Sequence, residues 1–158
     1  MIRPFLAALS VVAGFGIAAL ADVGDPVAPD PLSTPGQIVS MDQDTACAWG
    51  RSPRLYDANK KAYTEQAHYV FDIYGIDYNR HSEFELDHLV PRCIGGADTV
   101  RNLWPQHCNE WSAGRLHCIR GAAANKDIDE RRICRAVCYA RTMTIGDGQR
   151  FFIEGMWR

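Results

Sequence analysis

The chain has 158 residues, of which 47% are hydrophobic, and it carries a formal net charge of −2. This length suits a single folded domain, and the hydrophobic fraction excludes a disordered chain. Proteins that coat nucleic acid are usually basic, so a contact with nucleic acid here requires a local basic patch rather than a positive field over the whole molecule.

Residues 1–21 have the pattern of a secretory signal peptide. Arg3 precedes an apolar run over residues 5–20, and Ala19 and Ala21 place small side chains at the expected cleavage site. An uncleaved membrane anchor is the alternative, but the run is a little short for a membrane span. We therefore predict an exported protein, periplasmic or secreted, that is not attached to a membrane after cleavage.

Six cysteines follow the signal peptide, and an even number there predicts disulfides formed in an oxidising compartment. The competing interpretation is a zinc site, but the chain has no Cys-x-x-Cys pair and so lacks the spacing of a zinc ribbon. The spacing alone leaves the pairing open. The cysteines are Cys47, Cys93, Cys108, Cys118, Cys134 and Cys138.

The first predicted elements are an extended lead-in and a helix. Residues 22–36 contain four of the eight prolines and are predicted to lead into a domain spanning residues 37–158. Residues 57–74 place apolar side chains on one helical face, with Asp57 as the expected N-cap and a glycine after the last turn.

A hairpin, a second helix and a closing segment are predicted to follow. Residues 84–90 alternate as a strand does, and a second short extended piece over residues 102–104 is expected to end at Pro105. Asn125 is predicted to cap the second helix. Residues 151–157 then close the core as a helix or strand, and the order of elements predicts an α+β fold.

Three polar residues near the hairpin favour hydrolytic chemistry. Asp87 and His88 are adjacent at the end of the first strand, and a hairpin would bring Asn102 back beside His88. Hydrolysis of a phosphodiester uses a base to activate water and a hard cation to neutralise the growing charge. Histidine serves as a base near neutral pH, carboxylates bind hard cations, and an amide can orient the imidazole.

This segment resembles the motif of HNH, or ββα-metal, nucleases, and most closely that of small exported bacterial HNH proteins. The resemblance is carried by Glu-Leu-Asp-His-x-x-Pro at residues 85–91, Gly-Gly at 95–96 and Asn-Leu-Trp-Pro-Gln at 102–106. Weaker matches extend it over residues 47–157. It implies a ββα-metal unit that is braced by flanking helices and stapled by disulfides.

The resemblance also implies roles for the three polar residues. His88 corresponds to the general base, Asp87 to a catalytic metal ligand, and Asn102 to the asparagine that orients the base and its loop. One divalent metal ion, Mg²⁺, is the implied cofactor, and the implied reaction is attack of water on a phosphodiester bond.

The third motif position departs from the family pattern. The family usually places His or Asn three residues before a lysine, and Ala123 stands three residues before Lys126. Asn125 is the candidate second metal ligand, although its role as a helix cap is an equal alternative. If an insertion shifts the register, His117 or Asn109 would take its place.

The resemblance implies one disulfide between Cys47 and Cys138, because both positions resemble the cysteines that are common in related sequences. Cys108 and Cys118 flank the insertion considered above, and they are expected to form a disulfide that constrains it. We therefore predict that the protein requires oxidation to fold.

Four arginines are candidates for binding substrate phosphates. Arg92 and Arg101 flank the hairpin site, and Arg51 and Arg54 belong to a basic cluster upstream. We expect a monomer that acts on DNA, with RNA as the second choice and no base-specific contact. Two alternatives remain: a non-catalytic envelope protein that keeps the HNH scaffold for binding or structure, and an exported toxin.

Overall fold

The structure is a computed structural model that describes residues 28–108, 110–112, 115–117 and 122–157. The predicted signal peptide lies outside these residues. Within them, no helix is both long enough and apolar enough to span a bilayer. The helices are α1 (Gln43–Trp49), α2 (Leu55–Ala58), α3 (Lys60–Ile73), α4 (Ala122–Cys134) and α5 (Ile145–Ile153), and the strands are β1 (Phe84–His88), β2 (Leu103–His107), β3 (Glu110–Ser112) and β4 (Arg115–His117). The predicted mixture of helix and strand is confirmed.

β1 and β2 pair as an antiparallel hairpin, and β3 and β4 form a second one. The prediction that Pro105 ends the second extended piece is wrong, because β2 continues through it opposite Leu86. Leu89 donates its N–H to the carbonyl of Asn102 at 2.7 Å, and such bonds occur at alternate pairs along the hairpin. The Leu86–Pro105 pair therefore falls at a non-hydrogen-bonded position, where the missing N–H of proline is tolerated.

α3 is shorter than the predicted helix over residues 57–74. Asn59 has a non-helical backbone, with φ −156° and ψ 85°, and its side chain accepts the N–H of Ala62 at 3.1 Å, so Asn59 is the N-cap. Asp57 instead belongs to the short α2. The predicted buried face is present, and it includes Ala67, Val70 and Phe71.

α4 begins at Ala122, three residues before the predicted cap. Asn125 therefore lies inside the first turn, and its prediction as the helix cap is wrong. The helix continues into a π-helical turn over Arg135–Tyr139. Ile133 of this helix is fully buried.

The closing segment is helical and begins earlier than the predicted residues 151–157. The side chain of Thr144 caps α5 by accepting the N–H of Asp147 at 3.1 Å. Burial of apolar side chains is the main stabilising contribution, at about 1.5–3 kcal/mol for each large one. The main core consists of Ala46, Cys47, Leu89, Val90, Ile94, Trp104, Ile133, Val137, Ile145, Phe152 and Trp157.

Two disulfides join the described elements. Cys47 of α1 pairs with Cys138 of the π-helical turn, which confirms the implied pairing. Cys93, in the loop between β1 and β2, pairs with Cys134 at the end of α4, and this pairing was not predicted. The expected bond between Cys108 and Cys118 involves a residue outside the described ranges. Structural disulfides are typical of oxidising compartments.

Packing begins ahead of Gln37, where the folded domain was expected to start. Thr34 is fully buried, and its hydroxyl donates to the carbonyl of Leu103 at 2.9 Å. The same hydroxyl lies 2.8 Å from the hydroxyl of Tyr74. The end of the lead-in is therefore fixed against both β2 and the end of α3.

Candidate functional site

A cleft of about 1070 Å³ opens along β1, and parts of α2, α3 and α4 also line it. β1 contributes Asp87 and His88, the two residues that carried the strongest functional prediction. Adjacent residues on a strand point to opposite faces, but His88 is the last residue of β1, where the chain turns away. The strand end therefore brings both side chains into one cleft.

The imidazole of His88 is held by Asp98. Its Nε2 lies 2.8 Å from Asp98 Oδ1, and the same oxygen lies 2.7 Å from Arg92 Nε. Burial raises the pKa of Asp98, but His88 and Arg92 outweigh burial and the pKa is lowered overall. An ionised carboxylate can only accept a hydrogen bond, so in the neutral imidazole Nε2 carries the proton and Nδ1 keeps the lone pair.

Sequence reasoning did not find Asp98. The carboxyl group lies in the β1–β2 loop (residues 89–102), which has no periodicity, and it joins His88 ten positions away. Its place directly after Gly96 and Ala97 was the available signal, since the Gly-Gly turn folds this part of the loop back toward the strand end.

Arg92 is not arranged to bind a phosphate. It is 9% exposed, and its terminal nitrogens donate at 3.2 Å to the carbonyls of Ser52 and Pro53 and to the hydroxyl of Ser52. Its guanidinium also lies 5.1 Å from the centre of the Trp49 ring. With Asp98 as a further partner, the side chain is committed to protein groups and fixes the loop.

Asn102 holds the loop and not the imidazole. It is fully buried, and its amide donates to the carbonyls of Val90 at 3.0 Å and Ala97 at 3.1 Å, while its oxygen accepts the N–H of Val90 at 2.9 Å. Gly96 is required at this point, because a Cβ there would lie 1.7 Å from the Val90 carbonyl oxygen. Asn102 therefore holds the loop that carries Asp98, through hydrogen bonds to Val90 and Ala97.

Asp87 is held from the other side of the cleft by α4. Its Oδ2 lies 2.6 Å from the Nζ of Lys126, which is fully buried and also contacts Glu130. Burial lowers the pKa of Lys126, but the two carboxylates outweigh it and raise the pKa to about 12. The ammonium therefore stays charged and also lies 5.6 Å from the centre of the Phe152 ring.

Further carboxyl groups line the cleft beside Asp87. Burial raises the pKa of Glu85 to about 7, and the charges of Asp87 and Asp127 act in the same direction. Glu85, Asp127 and Glu130 all line the cleft. This part of the wall therefore offers oxygen donors in a setting that disfavours further negative charge.

A metal ion would find carboxylate donors here, although the described residues contain no ready group of three or more metal-ligating side chains. Asp87 and Glu130 both contact the ammonium of Lys126, so one carboxylate from β1 and one from α4 converge on a single cation. Carboxylate oxygens are the ligands that hard divalent cations prefer. Asp87 and Glu130 therefore offer oxygen donors of the type that Mg²⁺ takes, but both already contact the ammonium of Lys126.

The predicted second ligand, Asn125, is exposed and does not line the cleft. Glu130 on the same helix does line it. The alternatives lie where the structure gives no side chain: Asn109 is outside the described residues, and only the backbone of His117 is described.

Three arginines line the cleft, of which Arg54 and Arg92 were predicted and Arg131 was not, and Arg92 is paired within the protein. Arg54, at the start of α2, and Arg131 of α4 are exposed and line the cleft. The charge of Arg54 acts on Glu85 across the cleft and opposes the rise in the pKa of that carboxyl group. Arg51 and Arg101 are exposed but do not line the cleft. Arg131 lies four residues after Asp127 and so shares its helical face, and this spacing could have identified Arg131 from the sequence.

The arrangement combines an oriented imidazole, a cluster of carboxylates and two exposed arginines in one cleft. A scan against protein-family models, a search of curated proteins and a search of solved structures each found no match for this chain.

Proposed function

We propose that this protein is an exported, metal-dependent endonuclease of the HNH type, which hydrolyses phosphodiester bonds of DNA and, as a second choice, of RNA. The observation that carries the proposal is the imidazole of His88, fixed through Nε2 by Asp98 beside the carboxylate of Asp87. The β1–β2 hairpin, which α4 follows after the short β3–β4 hairpin, supports the ββα-metal interpretation, and the two disulfides support export.

His88 acts as the general base in this proposal. Nε2 donates to the carboxylate of Asp98, so Nδ1 is the nitrogen that takes a proton from water as the water attacks phosphorus. Asp98 then stabilises the imidazolium that forms, as an orienting carboxylate does beside other catalytic histidines. A positioned base of this kind typically contributes about 10²–10⁴-fold to the rate.

Asp87 and Glu130 would hold the metal ion. When bound, a divalent cation neutralises the charge that develops on the phosphate and on the leaving oxygen. Lys126 contacts both carboxylates and compensates part of their charge. Arg54 and Arg131 bind backbone phosphates without reading the sequence, which gives the acidic protein its local basic contact.

Nicking of supercoiled plasmid by the oxidised protein tests this function. We expect cleavage with Mg²⁺ and none after addition of excess chelator. Cleavage that continues at the full rate in chelator would refute the metal role. Linear and nicked products without selected positions would agree with phosphate contacts alone.

A non-catalytic binding protein is the second candidate. The ion pair of Asp87 with the buried Lys126 favours it, because this carboxylate already has a cationic partner at 2.6 Å. Such a protein would bind DNA through Arg54 and Arg131 and leave it intact. The same plasmid assay, combined with a gel-shift measurement, separates binding with cleavage from binding alone.

A further inference from the structure

An exposed aromatic ring lies on the cleft wall and has no part in the proposed chemistry. Tyr56 of α2 lines the cleft and remains 49% exposed. Two exposed cations are close in sequence, since Arg54 precedes it by two residues and Lys60 follows it by four. The same wall therefore offers a ring and positive charge to anything that enters the cleft.

The ring of Tyr56 is held in place by its neighbours. The ring centres of Tyr56 and Tyr63 are 5.2 Å apart, with the planes nearly perpendicular at 87°. The ammonium of Lys60 lies 5.8 Å from the centre of the Tyr56 ring. A ring that is already ordered loses little conformational entropy when a ligand stacks on it.

We propose that Tyr56 is a stacking subsite for an unpaired nucleobase, with Arg54 and Lys60 placed for the flanking phosphates. This inference rests on the proposed nuclease function and names its substrate class: single-stranded nucleic acid, or the single-stranded parts of a longer one. In a duplex the faces of the bases are covered by their neighbours, so Tyr56 has no base to stack on. Stacking on an aromatic side chain tolerates any base.

The test is binding of a short fluorescent oligothymidylate, measured by anisotropy in chelator so that cleavage does not interfere. An abasic oligomer of the same length carries the same phosphates without bases. We expect Tyr56→Ala to weaken oligothymidylate binding about tenfold and to leave binding of the abasic oligomer unchanged. Tyr56→Phe should keep wild-type affinity. Tyr69→Ala is the matched control, since Tyr69 is 55% exposed and lies away from the cleft.

Each other outcome overturns one proposal. If Tyr56→Ala binds oligothymidylate with wild-type affinity, the subsite is wrong. It is also wrong if Tyr56→Ala loses the same affinity for both oligomers, because the loss would then come from altered packing or from the phosphate contacts and not from a base. A wild-type protein that binds neither oligomer also overturns it. If the oligomers bind as expected but the protein nicks no plasmid, the stacking subsite stands and the proposed hydrolysis is wrong. If the protein nicks plasmid but Tyr56→Ala binds oligothymidylate with wild-type affinity, the hydrolysis stands and the subsite is wrong.

Discussion

Asp87 and His88 are neighbours on β1, but two different regions of the molecule hold them. His88 is held by the β1–β2 loop, through the partly exposed carboxylate of Asp98. Asp87 is held by α4, through the fully buried ammonium of Lys126. The loop orients a proton acceptor, and the helix gathers carboxylates around a cation. The two functions are therefore separable, and substitutions on one side should leave the other side intact.

The largest expected effect is on the helix side. Lys126→Met removes the cation that Asp87 and Glu130 share, and breaking a buried ion pair from one side costs about 3–5 kcal/mol. Urea denaturation measures this loss of unfolding free energy.

Lys61→Met is the control for this substitution. Lys61 is 86% exposed and lies 3.8 Å from Glu65, and an exposed pair of this kind contributes about 0–1 kcal/mol. If both variants lose the same small amount of unfolding free energy, the ion pairs of Lys126 do not contribute the stability assigned to them.

The next effect concerns the bond that joins the two regions. Cys93 of the loop is bonded to Cys134 of α4, and both line the cleft. The double variant Cys93→Ser/Cys134→Ser should lose about 2–4 kcal/mol of stability and also most nicking activity. Thermal unfolding and the plasmid assay measure the two losses.

Removing the other disulfide sharpens the comparison. Cys47 and Cys138 lie outside the cleft, so Cys47→Ser/Cys138→Ser should lower stability while activity is kept at temperatures where the variant is folded. Equal activity losses in the two double variants would show that the Cys93–Cys134 bond has no special role at the site.

A smaller effect is expected on the loop side. Asp98→Asn removes the carboxylate that orients His88, so activity should fall by no more than the about 10²–10⁴-fold that a positioned base contributes. The loss should appear in kcat while KM is kept, because Asp98 does not contact the substrate. A rise in KM alone would mean that Asp98 serves binding.

The smallest effect is on acid stability. The pKa of Asp98 is lowered from 3.8 in the folded protein, so its ionised form contributes stability above that value, and this stability is lost as the pH falls through the folded pKa. Asp98→Asn should therefore lose less stability on acidification than the wild type, as measured by urea denaturation across acidic pH. Parallel pH curves would contradict this assignment.

Local patterns predicted the parts of the fold that depend on local order. Alternation in β1 and the apolar stripe of α3 are set by burial of one face, which the sequence carries directly. Pro105 was misjudged because its tolerance depends on the register of β1 against β2. The early start of α4 was missed because no Ser, Thr, Asp or Asn directly precedes Ala122 in the sequence.

The candidate site was predictable at its motif residues and not at their partners. Asp98 and Lys126 meet His88 and Asp87 only after the loop and α4 have packed, and no short-range pattern records such contacts. One signal was present: Lys126 and Glu130 are four residues apart and so share a helical face. Asn125, one position away, lies on a different face and was the wrong choice for the cleft.

The most direct test of the central proposal compares His88→Ala with the wild type in Mg²⁺-dependent plasmid nicking, with Mg²⁺ binding and thermal unfolding measured on the same samples. His68→Ala serves as the control, because His68 is exposed and does not line the cleft. His88→Ala should slow nicking about 10²–10⁴-fold and keep both Mg²⁺ affinity and unfolding temperature. Nicking at the wild-type rate, or a joint loss of stability and Mg²⁺ binding, would contradict the assignment of His88 as the general base.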